Sequence, residues 1–205
     1  MSAPSIGIVD LGLGNLHSVA QAFVRAGVAP AFLETPEAVR AADRLVVPGQ
    51  GAFRECAEVL AGGLGEALVE HMRSGRPYLG ICLGMQALFE GSDEAPALPG
   101  LGWFEGKVRR FPDGARGPNG ERLKVPHMGW NQVQTTHPML EPDGWYYFVH
   151  SYYCVPDDPS VVAARCEYGA PFCAAVCRDN VFACQFHPEK SHHAGARVLE
   201  RFLAA

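Results

Sequence analysis

Between Ser5 and Ile81 the chain alternates short, uninterrupted apolar runs with helix-period stretches, and that alternation leaves few folds open. The runs Ser5–Asp10, Ala31–Leu33, Leu45–Val47 and Tyr78–Ile81 read as strands. A strand that is apolar at every position is covered on both faces, as in a parallel sheet flanked by helices. Helical patterns fill the gaps at 16–26, where Gly27 supplies the stop, and at about 36–42 and 53–73. Strand and helix in alternation predict an α/β fold with a mostly parallel central sheet.

The texture changes after about residue 90. Ser92–Gly102 is loop-like, with prolines at 96 and 99. Trp103–Phe111, Val125–Val133, Trp145–Val149, Val161–Cys166, Cys173–Val176 and Val181–Gln185 then read as strands, with a turn at Asn119-Gly120 beside Pro118. These are expected as antiparallel additions to the sheet, and helix returns at Ala194–Leu203. With no linker or internal repeat, 1–205 is expected to be one domain.

Composition narrows the function. A net charge of −5 without a Lys/Arg block argues against nucleic acid as a partner. No uncharged apolar stretch approaches the roughly 18 residues of a membrane span. The start, Met1-Ser2-Ala3-Pro4-Ser5, lacks the basic region of a secretory signal, so a cytoplasmic protein is expected. The seven cysteines, at 56, 82, 154, 166, 173, 177 and 184, form no Cys-x-x-Cys pair. Neither structural zinc nor a disulfide framework is expected, and six of the thiols are read as core. His187, His192 and His193 lack metal-ligand spacing, and the adjacent pair should begin a helix or face solvent. Gly12-Leu13-Gly14 is not a dinucleotide fingerprint, because His17 stands where the third glycine belongs. No metal or cofactor is expected. Trp103, Trp130 and Trp145 are read as packing residues.

Cys82 stands apart from the other thiols. Gly80-Ile81-Cys82-Leu83-Gly84-Met85-Gln86 runs from a strand into a helical pattern, with a glycine two positions to either side of the sulfur. That is the shape of a nucleophile elbow. A thiol at its ordinary pKa is only a few per cent thiolate at neutral pH. A helix start near Leu83 and a nearby imidazolium would both activate it. Phe186-His187-Pro188-Glu189 offers His187 as the base and Glu189 as the carboxylate that orients it. The Leu83 amide is the natural first oxyanion donor, and Pro48-Gly49-Gln50-Gly51, closing a strand, can supply the second. Cysteine-nucleophile acyl transfer is the chemistry these residues suggest. The blander alternative is a buried thiol and a surface His-Pro turn that never meet.

Pro48-Gly49-Gln50-Gly51, Gly80–Gln86 and His187-Pro188-Glu189, in that order along the chain, together resemble the class I (triad) glutamine amidotransferases over essentially the whole chain. The resemblance implies that Cys82 attacks the side-chain amide of L-glutamine, releasing ammonia and then glutamate through a thioester. Lys124-Val125-Pro126-His127-Met128-Gly129-Trp130-Asn131, Tyr147-Phe148-Val149-His150-Ser151-Tyr152 and Pro188-Glu189-Lys190-Ser191 resemble, more narrowly, the glutaminase subunits of imidazole glycerol phosphate synthases. In that family ammonia is channelled to a separate (β/α)8-barrel cyclase. The cyclase converts a phosphoribulosyl-formimino aminoimidazole carboxamide ribonucleotide (PRFAR) to imidazole glycerol phosphate and AICAR in histidine biosynthesis. A heterodimer is therefore implied, with the barrel supplied in trans. By the same resemblance Gly49, Gln86, Glu94, Ser151 and Tyr152 would hold glutamine. Asn15, His127, Met128, Trp130, Asn131 and Lys190 would lie toward the cyclase. Related subunits hydrolyse glutamine poorly until the cyclase holds its nucleotide, which implies a resting Gln50 peptide turned away from the site. Two competitors remain: another stand-alone glutaminase, such as one serving pyridoxal phosphate synthesis, and a catalytically silent scaffold.

Overall fold

The computed structural model describes residues 5–117 and 119–205. The expectations drawn from Met1–Pro4 and Pro118 lie outside those residues. Strand β1 (Ile6–Val9) leads to α1 (Leu16–Arg25), β2 (Ala31–Leu33), α2 (Pro36–Ala41), β3 (Arg44–Gly49), α3 (Phe53–Leu60), α4 (Gly63–Arg73), β4 (Tyr78–Cys82) and the single turn α5 (Leu83–Gln86). The remainder is β5 (Gly106–Arg110), β6 (His127–Thr135), β7 (Trp145–His150), β8 (Tyr152–Pro156), β9 (Val162–Glu167), β10 (Pro171–Arg178), β11 (Val181–Cys184) and α6 (His192–Ala204).

One sheet runs β2-β1-β3-β4-β11-β10-β9-β6-β7, with β5 and β8 joined through β10. The first five of these strands are parallel. From β11 onward every pairing is antiparallel. The fold is thus the expected α/β sheet with antiparallel additions.

Alternation along the strands sorts side chains into two cores. Leu45, Val47, Val181 and Ala183 face α3 and α4, where Phe53, Leu64 and Leu68 pack. Ile6, Ile8, Val46 and Phe182 face the opposite way, toward Val19 and Phe23 of α1 and Phe202 of α6. Phe23 and Phe202 meet edge to face at 6.4 Å and tie the two helices together. Burying each such ring contributes about 2 kcal/mol.

Four elements differ from expectation. The helical pattern at 53–73 is two helices, because Gly62 adopts an extended backbone (ψ −166) and ends the first. The helix at Leu83 is one turn only. The strand foreseen from Trp103 begins at Gly106, and β8 was not foreseen at all. The tryptophans are not all packing residues: Trp130 is 42% and Trp145 55% exposed. Trp103 is half-buried under the Arg178 guanidinium, 5.4 Å from the ring centroid.

Candidate active site

Cys82 ends β4 with φ 54 and ψ −105, a left-handed conformation that non-glycine residues seldom adopt. Glycines make that turn possible by close backbone approach. A Cβ on Gly84 would lie 1.8 Å from the Val47 carbonyl oxygen, and one on Gly80 2.8 Å from the Gly84 oxygen. The sulfur is thereby lifted out of the sheet at the end of β4, beside β11.

Strand β11 is the parallel neighbour of β4, and His187 follows it. The His187 backbone N–H donates to the Tyr147 carbonyl (2.9 Å). The Tyr147 N–H donates to Ser191 Oγ (3.0 Å), whose hydroxyl donates back to the His187 carbonyl (2.6 Å). This triangle fixes the base against β7. His187 Nδ1 lies 2.8 Å from Glu189 Oε1, and both side chains are 1% exposed. With the carboxylate as acceptor, Nδ1 carries the proton and Nε2 is left for the nucleophile. Nε2 has no formed hydrogen-bond partner among the described residues. Burial pulls the His187 imidazole down, but the Cys82 sulfur first and the Glu189 carboxylate second outweigh it, and hold it up to about 10. Base and sulfur are therefore within electrostatic reach of each other.

Cys82, Leu83, Gln50, Gly51, Gln86, Glu94, Ser151 and Tyr152 line one cleft of about 320 Å³, with Pro126, Val149 and His150. That is the lower end of the range for small-molecule sites. A hollow of about 410 Å³ lies behind Glu189, between α1 and α6, but Cys82 does not line it.

The oxyanion candidates are adjacent. Gly49 is the register partner of Cys82, and a Cβ on it would come 2.8 Å from Leu83 Cβ. The Gln50 backbone nitrogen lies against the loop after β1, where a Cβ on Gly14 would approach it to 2.8 Å. Glu94 accepts a 2.8 Å bond from the Phe53 N–H and so caps α3, whose own N-cap, Ala52, offers no side-chain cap.

The structure adds two residues to those expected here. Gln185, fully buried, donates through Nε2 to Cys82 Sγ (3.5 Å) and accepts at Oε1 from Gln86 Nε2 (3.1 Å). His150 lines the cleft itself. In each case the signal is a polar side chain at the end of an otherwise apolar strand run.

Among the residues expected toward a partner, Met128 (63% exposed), Trp130, Asn15 and half-buried Lys190 are accessible. Trp130 stacks on His192 at 4.9 Å, and Lys190 lies over the Tyr147 ring. Asn15 caps α1 through the Ser18 N–H. His127 is a correction: it is 3% exposed and points inward, because alternation along β6 places it opposite Met128 and Trp130. Burial pushes its imidazole down to about 4, and that of His150 to about 3. His192 and His193 open α6 and are exposed, as expected. Among the described residues there is no cluster fit to hold a metal and no helix long and apolar enough to cross a membrane.

A thiol on a strained elbow, a buried His–Glu pair and a small cleft on a parallel sheet are the features of a triad amidotransferase, and residues 7–205 match the family "Glutamine amidotransferase class-I"; the chain belongs to that family. Within it, the chain is 52% identical over 201 residues to an imidazole glycerol phosphate synthase subunit HisH from Syntrophotalea carbinolica, covering 95% of this chain and 97% of the relative. It is 49% identical over 207 residues to the subunit of the same name from Methylococcus capsulatus (97% and 95% covered). Among solved structures, a glutamine amidotransferase superposes with TM-score 0.75 at 20% identity, over 98% of this chain and 99% of the other. The structure of PurLQS from Thermotoga maritima gives 0.72 at 15% identity, over 99% and 98%.

Proposed function

We propose that this chain is the glutaminase subunit of an imidazole glycerol phosphate synthase. The observation that carries the reading is the Cys82–His187–Glu189 arrangement, in a chain about half identical to subunits of that name over nearly their full length.

Cys82 Sγ attacks the side-chain carbonyl carbon of L-glutamine, forming a C–S bond. The resulting oxyanion is met by the Leu83 and Gln50 amides. His187 Nε2, holding the proton taken from the thiol, delivers it to the departing nitrogen as the C–N bond breaks and ammonia leaves. Water then attacks the thioester, giving its proton to His187. Glutamate departs as the proton returns to sulfur. Glu189 keeps the imidazole in the required tautomer and balances its charge. Gly49, Gln86, Glu94, Ser151 and Tyr152 hold the substrate.

Ammonia passes to a (β/α)8-barrel cyclase bound in a heterodimer through the face bearing Met128, Trp130, Lys190 and Asn15. There it reacts with PRFAR to give imidazole glycerol phosphate and AICAR. A Gln50 amide that turns into the site only when the cyclase is loaded would restrain glutamine hydrolysis at rest. The protein acts in the cytoplasm and works without a cofactor.

The test is glutamate formation from glutamine by the chain mixed with a histidine-pathway cyclase and PRFAR. PRFAR-dependent activity that disappears in Cys82→Ala, with ammonium-dependent synthesis intact, is expected. Undiminished hydrolysis in that variant rejects the nucleophile assignment. Absence of stimulation, with a folded chain and a cyclase competent with ammonium, rejects the partner.

A further inference from the structure

The inner faces of the paired strands β6 and β7 carry three polar groups in series, Asn131 and His127 on β6 and His150 on β7, and their hydrogen-bond directions follow from their partners. His150 Nδ1 sits 2.8 Å from the Tyr152 carbonyl oxygen, so Nδ1 carries the proton and Nε2 is an acceptor. His127 Nδ1, 3.1 Å from that Nε2, must then donate, which leaves His127 Nε2 as an acceptor. Asn131 Nδ2 fills it at 3.2 Å. The asparagine cannot be flipped: Nδ2 also donates to the Glu167 carbonyl (2.8 Å), and Oδ1 accepts from the Gln132 N–H (2.8 Å).

The series continues into the catalytic centre. The Tyr152 oxygen also accepts from Gln86 Nε2 (3.1 Å), which donates to Gln185 Oε1 (3.1 Å), and Gln185 Nε2 reaches Cys82 Sγ (3.5 Å). Six hydrogen bonds thus join Asn131 to the nucleophile. Rings enclose the imidazoles. His127 is stacked between Tyr168 (4.0 Å) and Phe148 (4.8 Å), and Phe111 and Phe172 flank His150 at 5.3 and 5.4 Å. The bond between the two imidazoles is thereby buried.

We propose that Asn131, His127 and His150 are positioning residues for glutamine, a one-way hydrogen-bond relay that fixes the Tyr152 carbonyl and, through it, Gln86 and Gln185 at the nucleophile. The proposal rests on the glutaminase reading above and deepens it. Strand β6 has two working faces: Met128 and Trp130 look outward to the proposed docking surface, and His127 and Asn131 look inward, linked to His150, which lines the cleft. A partner that shifts β6 therefore reaches the glutamine site through bonds already formed.

The test uses the full chain in complex with the cyclase and PRFAR, and 6-diazo-5-oxo-L-norleucine, a glutamine-shaped reagent that alkylates a nucleophile able to bind it. Its half-saturating concentration and limiting inactivation rate are measured separately, with iodoacetamide as a shape-blind probe of the thiol. Asn131→Ala, His127→Phe and His150→Phe are each expected to raise the half-saturating concentration about 5- to 10-fold, the effect of one lost buried hydrogen bond. Iodoacetamide labelling should be unchanged. The double variant His127→Phe/His150→Phe should be no worse than either single one, because a broken series is broken once. His150→Asn, whose amide can still donate to Tyr152, should recover most of the binding. Unchanged half-saturation in the three single variants, or effects that add in the double one, overturns the relay in favour of a purely structural aromatic cage. If the phenylalanine variants do not fold, half-buried Asn131→Ala decides by the same readout. A wild-type complex labelled at Cys82 by iodoacetamide but not by the glutamine analogue overturns the glutaminase reading, and the relay with it.

Discussion

Acid should unfold this protein well before its carboxylates titrate, because three histidines are held neutral in the interior. His71, His127 and His150 are 0%, 3% and 6% exposed. Burial lowers them to about 4, about 4 and about 3 respectively. In the unfolded chain each returns to an ordinary value of about 6.5. The unfolded state therefore binds more protons between pH 6.5 and 4, and stability falls as pH falls through that window. Above pH 6.5 the contribution is fully present. From pH 7.5 to 5.0 each histidine withdraws about 2 kcal/mol, and the three together about 6 kcal/mol, comparable with the whole stability of many domains. His187 acts with the opposite sign and elsewhere. Its folded value is raised, so its contribution is complete below pH 6.5 and is lost as pH rises through about 10. Asp43, Asp113 and Asp158 are lowered, and lose their contributions only below about pH 4. Urea unfolding at closely spaced pH values measures the slope. His71 donates through Nε2 to the Pro77 carbonyl (3.2 Å) and is remote from the cleft, so His71→Gln tests the assignment without touching catalysis. Its slope should be about two-thirds that of wild type. A flat profile from pH 7.5 to 5.0 would show that these imidazoles take up protons as readily folded as unfolded, and an unchanged slope in His71→Gln would show the same of His71.

Other substitutions separate chemistry from architecture. Glu189→Gln should reduce glutamine-dependent turnover about 100- to 10,000-fold while leaving ammonium-dependent synthesis by the complex intact; near-normal glutamine turnover would refute the orienting role. Gly84→Ala should lose about 3 kcal/mol or more in urea unfolding, since the new methyl meets the Val47 carbonyl at 1.8 Å. A wild-type midpoint would mean the elbow is looser than described. Trp130→Ala should weaken cyclase binding by about 2 kcal/mol in a titration yet leave the unfolding midpoint in place, as befits a 42% exposed anchor. The reverse pattern would make it a packing residue.

The parallel half was legible because its strands are covered on both faces: β1, β3 and β4 show as unbroken apolar runs, and Gly27 punctuates the end of α1. The catalytic elements were legible for a related reason. An elbow needs glycines at fixed offsets, and His187 and Glu189 are two residues apart. Strand β8 was hidden because Ser151 alone separates it from β7, so one long run conceals a change of partner from β6 to β5. Gln185 and His150 stand out locally only as polar residues ending apolar runs; what they do depends on groups distant in sequence or on a neighbouring strand, which no local pattern specifies. The inward side of His127 is legible as well. Period-two alternation already separates it from Met128 and Trp130.

Strand β7 is the last in the sheet, and such a strand offers unpaired backbone groups to any passing extended chain. Here the outward N–H and C=O of Tyr147 are both taken, by Ser191 Oγ and the His187 N–H. The loop that carries the base thus also guards the sheet against edge-to-edge self-association. Changes that loosen 187–191 should do double harm: an inactive enzyme that is also prone to clump, with solubility failing alongside turnover.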